Sequence, residues 1–209
     1  ATDWSWAALW MDFNNDRRKD LFVSNGIPKR MNDIDYVNFV SSDVVQSKLR
    51  SNTLRDKDLT LTKTFPEIKI PNRFFQNNGS LQFQDVSSLV NRERPTFSNG
   101  AVYADLDNDG DLDIVVNNIN EPALIYRNNT IFLSRKSPYA SIELSGPPGN
   151  TFGLGAKLIL FEKGQVITYE QQGVHGFLPS MLSPLIVGLD KASIDSAILV
   201  WPDNSFQHV

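Results

Sequence analysis

The sequence predicts an all-β chain: a partial β-propeller of two blades, the first interrupted by a helical insertion, followed by a small β-sandwich-like domain. Three observations predict it. An acidic loop occurs twice between apolar runs, 93 residues apart. Each copy is followed by short segments of strand character and turn residues. Beyond about residue 130 the repeat stops, while strands and turns continue.

The first unit opens with Ala7-Ala-Leu-Trp10, then the loop Asp12-Phe-Asn-Asn-Asp-Arg-Arg-Lys-Asp20, then Leu21-Phe-Val-Ser-Asn25. Asn72 to Asn78 reads as a third strand. Asn78-Gly79 is a hairpin turn signal, and Leu81 to Val86 alternates as a half-buried strand should. The second unit repeats the order, with Ala101 to Ala104, the loop Asp105 to Asp113, Ile114 to Asn118, and Ala123 to Asn129. Four short antiparallel strands repeated along a chain describe a propeller blade.

Residues 27–71 are an insertion in the first unit. Asp33 is placed to cap a helix there. Ile34, Val37, Val40 and Val44 would form one apolar side, packed on the sheet edge or, as the alternative, binding a partner, and residues 50–63 read as a polar loop. From about 131 to 209, Ser141–Leu144, Ala156–Phe161, Gln165–Tyr169, Pro184–Val187 and Ala197–Trp201 read as strands. Gly146–Gly149, Lys163-Gly164 and Pro202–Asn204 read as turns. The expected division is residues 1–130 for the blades and 131–209 for the second domain.

Five of the nine residues in Asp105–Asp113 are aspartate. Two carboxylates about 5 Å apart repel by roughly 3 kcal/mol at an effective dielectric near 20. A loop held between two core strands cannot splay to relieve this, so a bound cation is the natural answer. Carboxylate oxygens are hard ligands and suit calcium. Magnesium prefers to keep several waters and fits an all-protein cage less well. An EF-hand is excluded, because position 12 is Val116 or Val23 rather than glutamate and the flanks are strands.

The expected ligands of the second loop are the side chains of Asp105, Asp107, Asp109 and Asp113 and the carbonyl of Asp111, whose own side chain would face solvent. Gly110 stands where φ > 0 is needed. In the first loop the set is Asp12, Asn14, Asp16 and Asp20 with the Arg18 carbonyl. There Arg17 replaces the glycine, and Arg17, Arg18 and Lys19 add positive charge, so weaker affinity is expected. The competing reading is that these aspartates are solvated or cap turns.

Composition excludes other classes. Hydrophobic content of 41% and charged content of 21% describe a globular chain. A net charge of −4 without a basic stripe argues against nucleic acid. There is no cysteine, hence no disulfide, thiolate metal site or cysteine nucleophile. No apolar run is long enough to span a membrane. No metalloprotease, serine-hydrolase or phosphate-loop motif occurs. His175 reads as a turn or packing residue rather than a catalytic base. Trp4, Trp6, Trp10 and Trp201 are expected in the core, with a carbohydrate-stacking surface as the alternative. Asn78-Gly-Ser80 and Asn128-Asn-Thr130 match the glycosylation sequon.

Trp6-Ala-Ala-Leu-Trp-Met-Asp-Phe-Asn-Asn-Asp16 and Ser98-Asn-Gly-Ala-Val-Tyr-Ala-Asp-Leu-Asp-Asn-Asp-Gly-Asp-Leu-Asp-Ile114 resemble FG-GAP (VCBS-type) repeats, the calcium-loop blades of integrin α-chain propellers. Gly153-Leu-Gly-Ala-Lys-Leu158, Gly173-Val-His-Gly-Phe-Leu-Pro-Ser180 and Val200-Trp-Pro-Asp203 resemble the ASPIC/UnbV domain of cartilage-acidic-protein-like chains, including bacterial surface proteins. Arg17, Asp190 and Asn204 depart from the glycines usual at their positions. The resemblance implies a non-catalytic, calcium-binding interaction or adhesion role, extracellular or at a bacterial cell surface, with an unknown protein or glycan ligand. A carbohydrate-binding propeller, or a domain of a secreted hydrolase, remains the alternative. Two blades bury little core and leave strand edges open. The chain is therefore expected to be a piece of a longer parent whose neighbouring blades pack against it, with any signal peptide outside this segment.

Overall fold

The computed structural model describes residues 4–28, 34–58, 60, 67–91, 94–129, 138–189 and 194–209. Asp33 and Asp190 lie outside these residues. Strands dominate, arranged in four sheets with every pair antiparallel, and none closes on itself.

The first sheet runs in chain order: β1 (Ser5–Met11), β2 (Asp20–Asn25), β3 (Arg73–Asn77) and β4 (Phe83–Asp85). The second contains β5 (Ser98–Ala104), β6 (Asp113–Asn118) and β7 (Leu124–Tyr126), again in chain order. The repeat extends to irregularities of pairing. β1 shifts register between Ser5 and Ala8, and β5 between Ser98 and Ala101. Ser5 Oγ donates to Asn25 Oδ1 at 3.0 Å, and Ser98 Oγ to Asn118 Oδ1 at 3.0 Å.

Alternation fixes which side chains meet. Ala7, Leu9 and Met11 of β1 face inward with Phe22 and Phe74. They share one core with Ala101, Ile114 and Val116 of the second sheet. Phe74 packs edge-on against Phe22 at 5.0 Å and Tyr126 at 5.2 Å. The opposite face of β1 is open, and Trp10 is 51% exposed there. Trp4, Trp6 and Trp201 are half-buried. The expectation that the tryptophans pack in the core is therefore corrected for Trp10, whereas Trp201 packs against the core of Leu144, Ala156 and Leu199. The alternating pattern that buries Leu9 and Met11 turns Trp10 outward.

The hairpin after β3 also differs from expectation. Gly79, Ser80 and Leu81 all have positive φ, at 85°, 53° and 58°. This left-handed run turns the chain over residues 78–82, so β4 begins at Phe83. The whole of β4 is exposed and Leu81 is 90% exposed.

The insertion forms two helices rather than one, α1 (Ile34–Ser41) and α2 (Asp43–Arg50). Ser42 between them is extended, with φ −60° and ψ 141°. The Ser41 and Ser42 hydroxyls donate to the carbonyls of Val37 and Phe39 and help end the first helix. The break splits the expected apolar side. Ile34, Val37 and Val44 are exposed, α1 buries nothing, and Val45 is the residue that α2 buries. Among the described residues no helix is long and apolar enough to cross a membrane.

The remaining strands are β8 (Tyr139–Ile142), β9 (Lys157–Glu162), β10 (Gln165–Glu170), β11 (Leu185–Gly188), β12 (Ser196–Val200) and β13 (Phe206–His208). They form a four-stranded sheet, β10-β9-β12-β13, and a two-stranded sheet, β11-β8. Leu158, Leu160 and Tyr169 of the larger sheet pack with Val187 of the smaller. β13 has no apolar alternation and went unread in the sequence. The contact of the two-stranded sheet with the first two sheets is apolar too, since Ile186 of β11 belongs to their shared core and Tyr139 of β8 packs against it.

Candidate metal centre in the paired acidic loops

Both acidic loops connect the first strand of a sheet to the second, and both turn through left-handed residues at the same two positions. Asn15 and Arg17 have φ of 59° and 67°; Asn108 and Gly110, 93 positions later, have 58° and 90°. Arg17 thus adopts the left-handed conformation expected where glycine is usual, at a cost of about 1–2 kcal/mol.

The hydrogen bonds match as well. The Asp16 and Arg17 amides donate to Asp12 Oδ1 and Oδ2 at 3.0 and 2.6 Å. The Asp109 and Gly110 amides donate to Asp105 Oδ1 and Oδ2 at 3.1 and 3.0 Å. The ninth aspartate anchors the base of each loop. Asp20 accepts from the amides of Phe13 and Asn77, and Asp113 from those of Leu106 and Asn128. Asp20 thereby ties its loop to the end of β3, and Asp113 ties its loop to Asn128, two residues beyond β7.

The two loops differ in how their charge is met. In the second, Asp105, Asp107 and Asp109 bring one carboxylate oxygen each to within 4.8 Å of one another. Among the described residues this is the cluster of that kind. Asp113 is not part of it. Asp109 Oδ2 is buried and has no hydrogen-bond donor. Arg127 reaches Asp107 Oδ2 from outside at 2.6 Å. An orphaned buried carboxylate oxygen beside two further carboxylates is the donor set of a hard divalent cation.

In the first loop the charge is met by the protein's own groups. Arg18 pairs with Asp16 Oδ2 at 2.7 Å, and the Asn14 amide donates to the same oxygen at 3.1 Å. Arg17 turns away to pair with Glu162 of β9 at 2.6 Å. The Lys19 ammonium lies 4.3 Å from the centre of the Tyr169 ring. Burial pushes the Asp12 carboxyl up to about 6 and the Asp20 carboxyl up to about 7, and it lowers the Lys19 ammonium.

One expectation is corrected. The Asp111 side chain does not face solvent; the residue is 1% exposed. Its Oδ1 accepts from the Asn15 side-chain amide at 3.1 Å. Packing the two sheets side by side brings their loops together and encloses it. Sequence reasoning also missed Asn15 and Tyr139. Neither stands at a ligand position of the loop pattern, and their contacts lie far away in sequence. The left-handed φ repeated at Asn15 and Asn108 was the one local signal.

His175 accepts or shares a proton with Tyr103 Oη at 3.2 Å through Nδ1, and Nε2 meets the Gln172 carbonyl at 2.7 Å. A carbonyl only accepts, so Nε2 carries the proton and Nδ1 accepts from Tyr103. Both nitrogens are engaged, Nδ1 with Tyr103 of β5 and Nε2 with a carbonyl three residues away. The adjoining cavity is about 40 Å³, far below the roughly 300 Å³ of small-molecule sites.

The sheets and loops define an antiparallel β-repeat protein whose repeats carry acidic loops, the second with a carboxylate triad that could hold a metal ion. The comparisons name the repeat: residues 69–116 match the family model of an FG-GAP-like repeat, and residues 146–209 match the family model described as ASPIC and UnbV. The chain therefore carries an FG-GAP-like repeat and an ASPIC/UnbV domain. The repeat match takes in β3, β4, β5 and the second loop, so it straddles the two sheets; the first loop lies outside it. No curated protein matches the chain.

Proposed function

We propose that this chain is a non-catalytic, calcium-binding interaction module of an extracellular or cell-surface protein, with two blades of a β-propeller in residues 1–130 and a second β domain in 131–209. The observation that carries the reading is Asp109 Oδ2, a buried carboxylate oxygen with no donor, set among the carboxylates of Asp105 and Asp107. These three side chains would hold the ion, with Asp111 offering its carbonyl. When bound, the ion supplies the positive charge that lets the carboxylates share one loop. The first loop, neutralised by Arg18 and flanked by Lys19, is the weaker site. The family matches support an interaction or accessory role.

The test is thermal unfolding with calcium and with chelator. Calcium at 100 times its Kd stabilises by about 2.7 kcal/mol, a Tm rise of roughly 5–10 °C for a chain of this size. A Tm indifferent to both additions overturns the reading.

A glycan ligand is the second reading, favoured by one feature. Trp10 and Phe83 form an exposed edge-to-face pair at 5.8 Å. Glycan binding abolished by Trp10→Ala would support it; glycan binding unaffected by that change would remove it.

A further inference from the structure

We propose that Asn15 of the first loop is a positioning residue for the metal centre of the second, so that the two loops act as one binding unit. The inference rests on the calcium reading above. The Asn15 side-chain amide donates to the Gly110 carbonyl at 3.0 Å and to Asp111 Oδ1 at 3.1 Å. Both partners are acceptors only, so chemistry fixes which end of the amide faces them. Together they hold the Gly110–Asp111 peptide and the Asp111 side chain. That sets the direction of the next carbonyl, the one Asp111 offers to the ion. The same two bonds keep the Asp111 carboxylate turned to the neighbouring loop and away from the Asp105, Asp107 and Asp109 cluster.

Asn15 is itself seated firmly. It is 5% exposed and holds a left-handed φ of 59°. Gly188, at the end of β11, lies directly beneath it; a Cβ there would fall 2.1 Å from the Asn15 carbonyl oxygen. The repeat supplies an internal comparison. Asn108, at the equivalent position, has the same φ of 58° but is exposed, and its carbonyl accepts from the Tyr139 hydroxyl at 3.4 Å. The turn alone therefore does not demand a buried asparagine. The clamp is what distinguishes Asn15.

The experiment is calorimetric titration of the chain with calcium, for the wild type, N15D, N15G and the double variant N15D/D111N. N15D is isosteric and tolerates the left-handed φ, but it sets a carboxylate against two acceptors. The clamp predicts calcium binding weaker by roughly 10- to 100-fold, the range for outer-shell partners of metal ligands. N15G keeps the backbone, loses the donor, and weakens binding less. D111N restores a donor–acceptor pair and recovers most of the N15D loss. A bystander position predicts the reverse order, because an added negative charge tightens calcium binding and D111N then weakens it. N15D affinity equal to or tighter than wild type overturns the clamp, as does a loss that D111N leaves unrecovered. Failure of the wild type to bind calcium overturns the parent reading and the clamp with it; wild-type binding with an unaffected N15D overturns the clamp alone.

Discussion

The Tyr139 ring packs so closely on Gly110 that a Cβ on the glycine would lie 2.2 Å from the ring carbons. Gly110 also holds φ 90°. G110A therefore meets two penalties, a left-handed backbone and a clash with the Tyr139 side chain of β8. The expected destabilisation is about 2–4 kcal/mol, read as a lower denaturant midpoint. Y139A in the same chain should recover part of it, and full additivity of the two changes would contradict the contact.

Arg17 and Glu162 form an ion pair with side chains 9% and 10% exposed. Removing one partner leaves the other charge buried, at a cost of about 3 kcal/mol or more. R17A should therefore destabilise clearly. R17G loses the same pair but relaxes the φ of 67°, so it should be more stable than R17A by about 1–2 kcal/mol. Equal stability of the two would show that no backbone strain resides at Arg17.

Asp109→Asn separates stability from binding. It removes one charge from three clustered carboxylates, so in chelator the variant should be as stable as wild type or more so. It should also lose the calcium-induced rise in Tm. Retention of the full rise would exclude Asp109 as a ligand.

The pH dependence of the chelated protein has a definite sign. Asp12 and Asp20 are raised from the usual 3.8 to about 6 and about 7 by burial. Between pH 4 and pH 7 the folded chain thus holds protons that the unfolded chain has released. Their contribution makes stability fall as pH rises through this window, and below pH 4 the penalty is absent. D12N should flatten the slope. Denaturation midpoints taken at pH 4.5, 6 and 7.5 measure it, and a slope unchanged in D12N would remove Asp12 as its source.

The loops show how far local information reaches. The hydrogen bonds from Asp16 and Arg17 to Asp12 span four and five residues, as do those from Asp109 and Gly110 to Asp105. Such geometry follows from the order of residues, so the loops, their flanking strands and the special φ at Arg17 and Gly110 were legible. β4 and the helices were read less well. Their ends depend on left-handed residues at Ser80 and Leu81 and on serine-to-carbonyl bonds around Ser42, which no apolar pattern records.

By itself the sequence determined the repeat, the strands around each loop and the second acidic cluster, because periodicity, turn chemistry and like-charge crowding act over a few residues. Only the tertiary structure decided that Asp111 is buried, that Trp10 faces outward beside Phe83, and that Asn15 reaches Gly110 across 95 residues of chain. Those outcomes depend on which sheet faces lie together. Packing of Leu9, Phe22, Ile114 and Ile186 into one core sets that arrangement, through contacts between residues that no local pattern brings together.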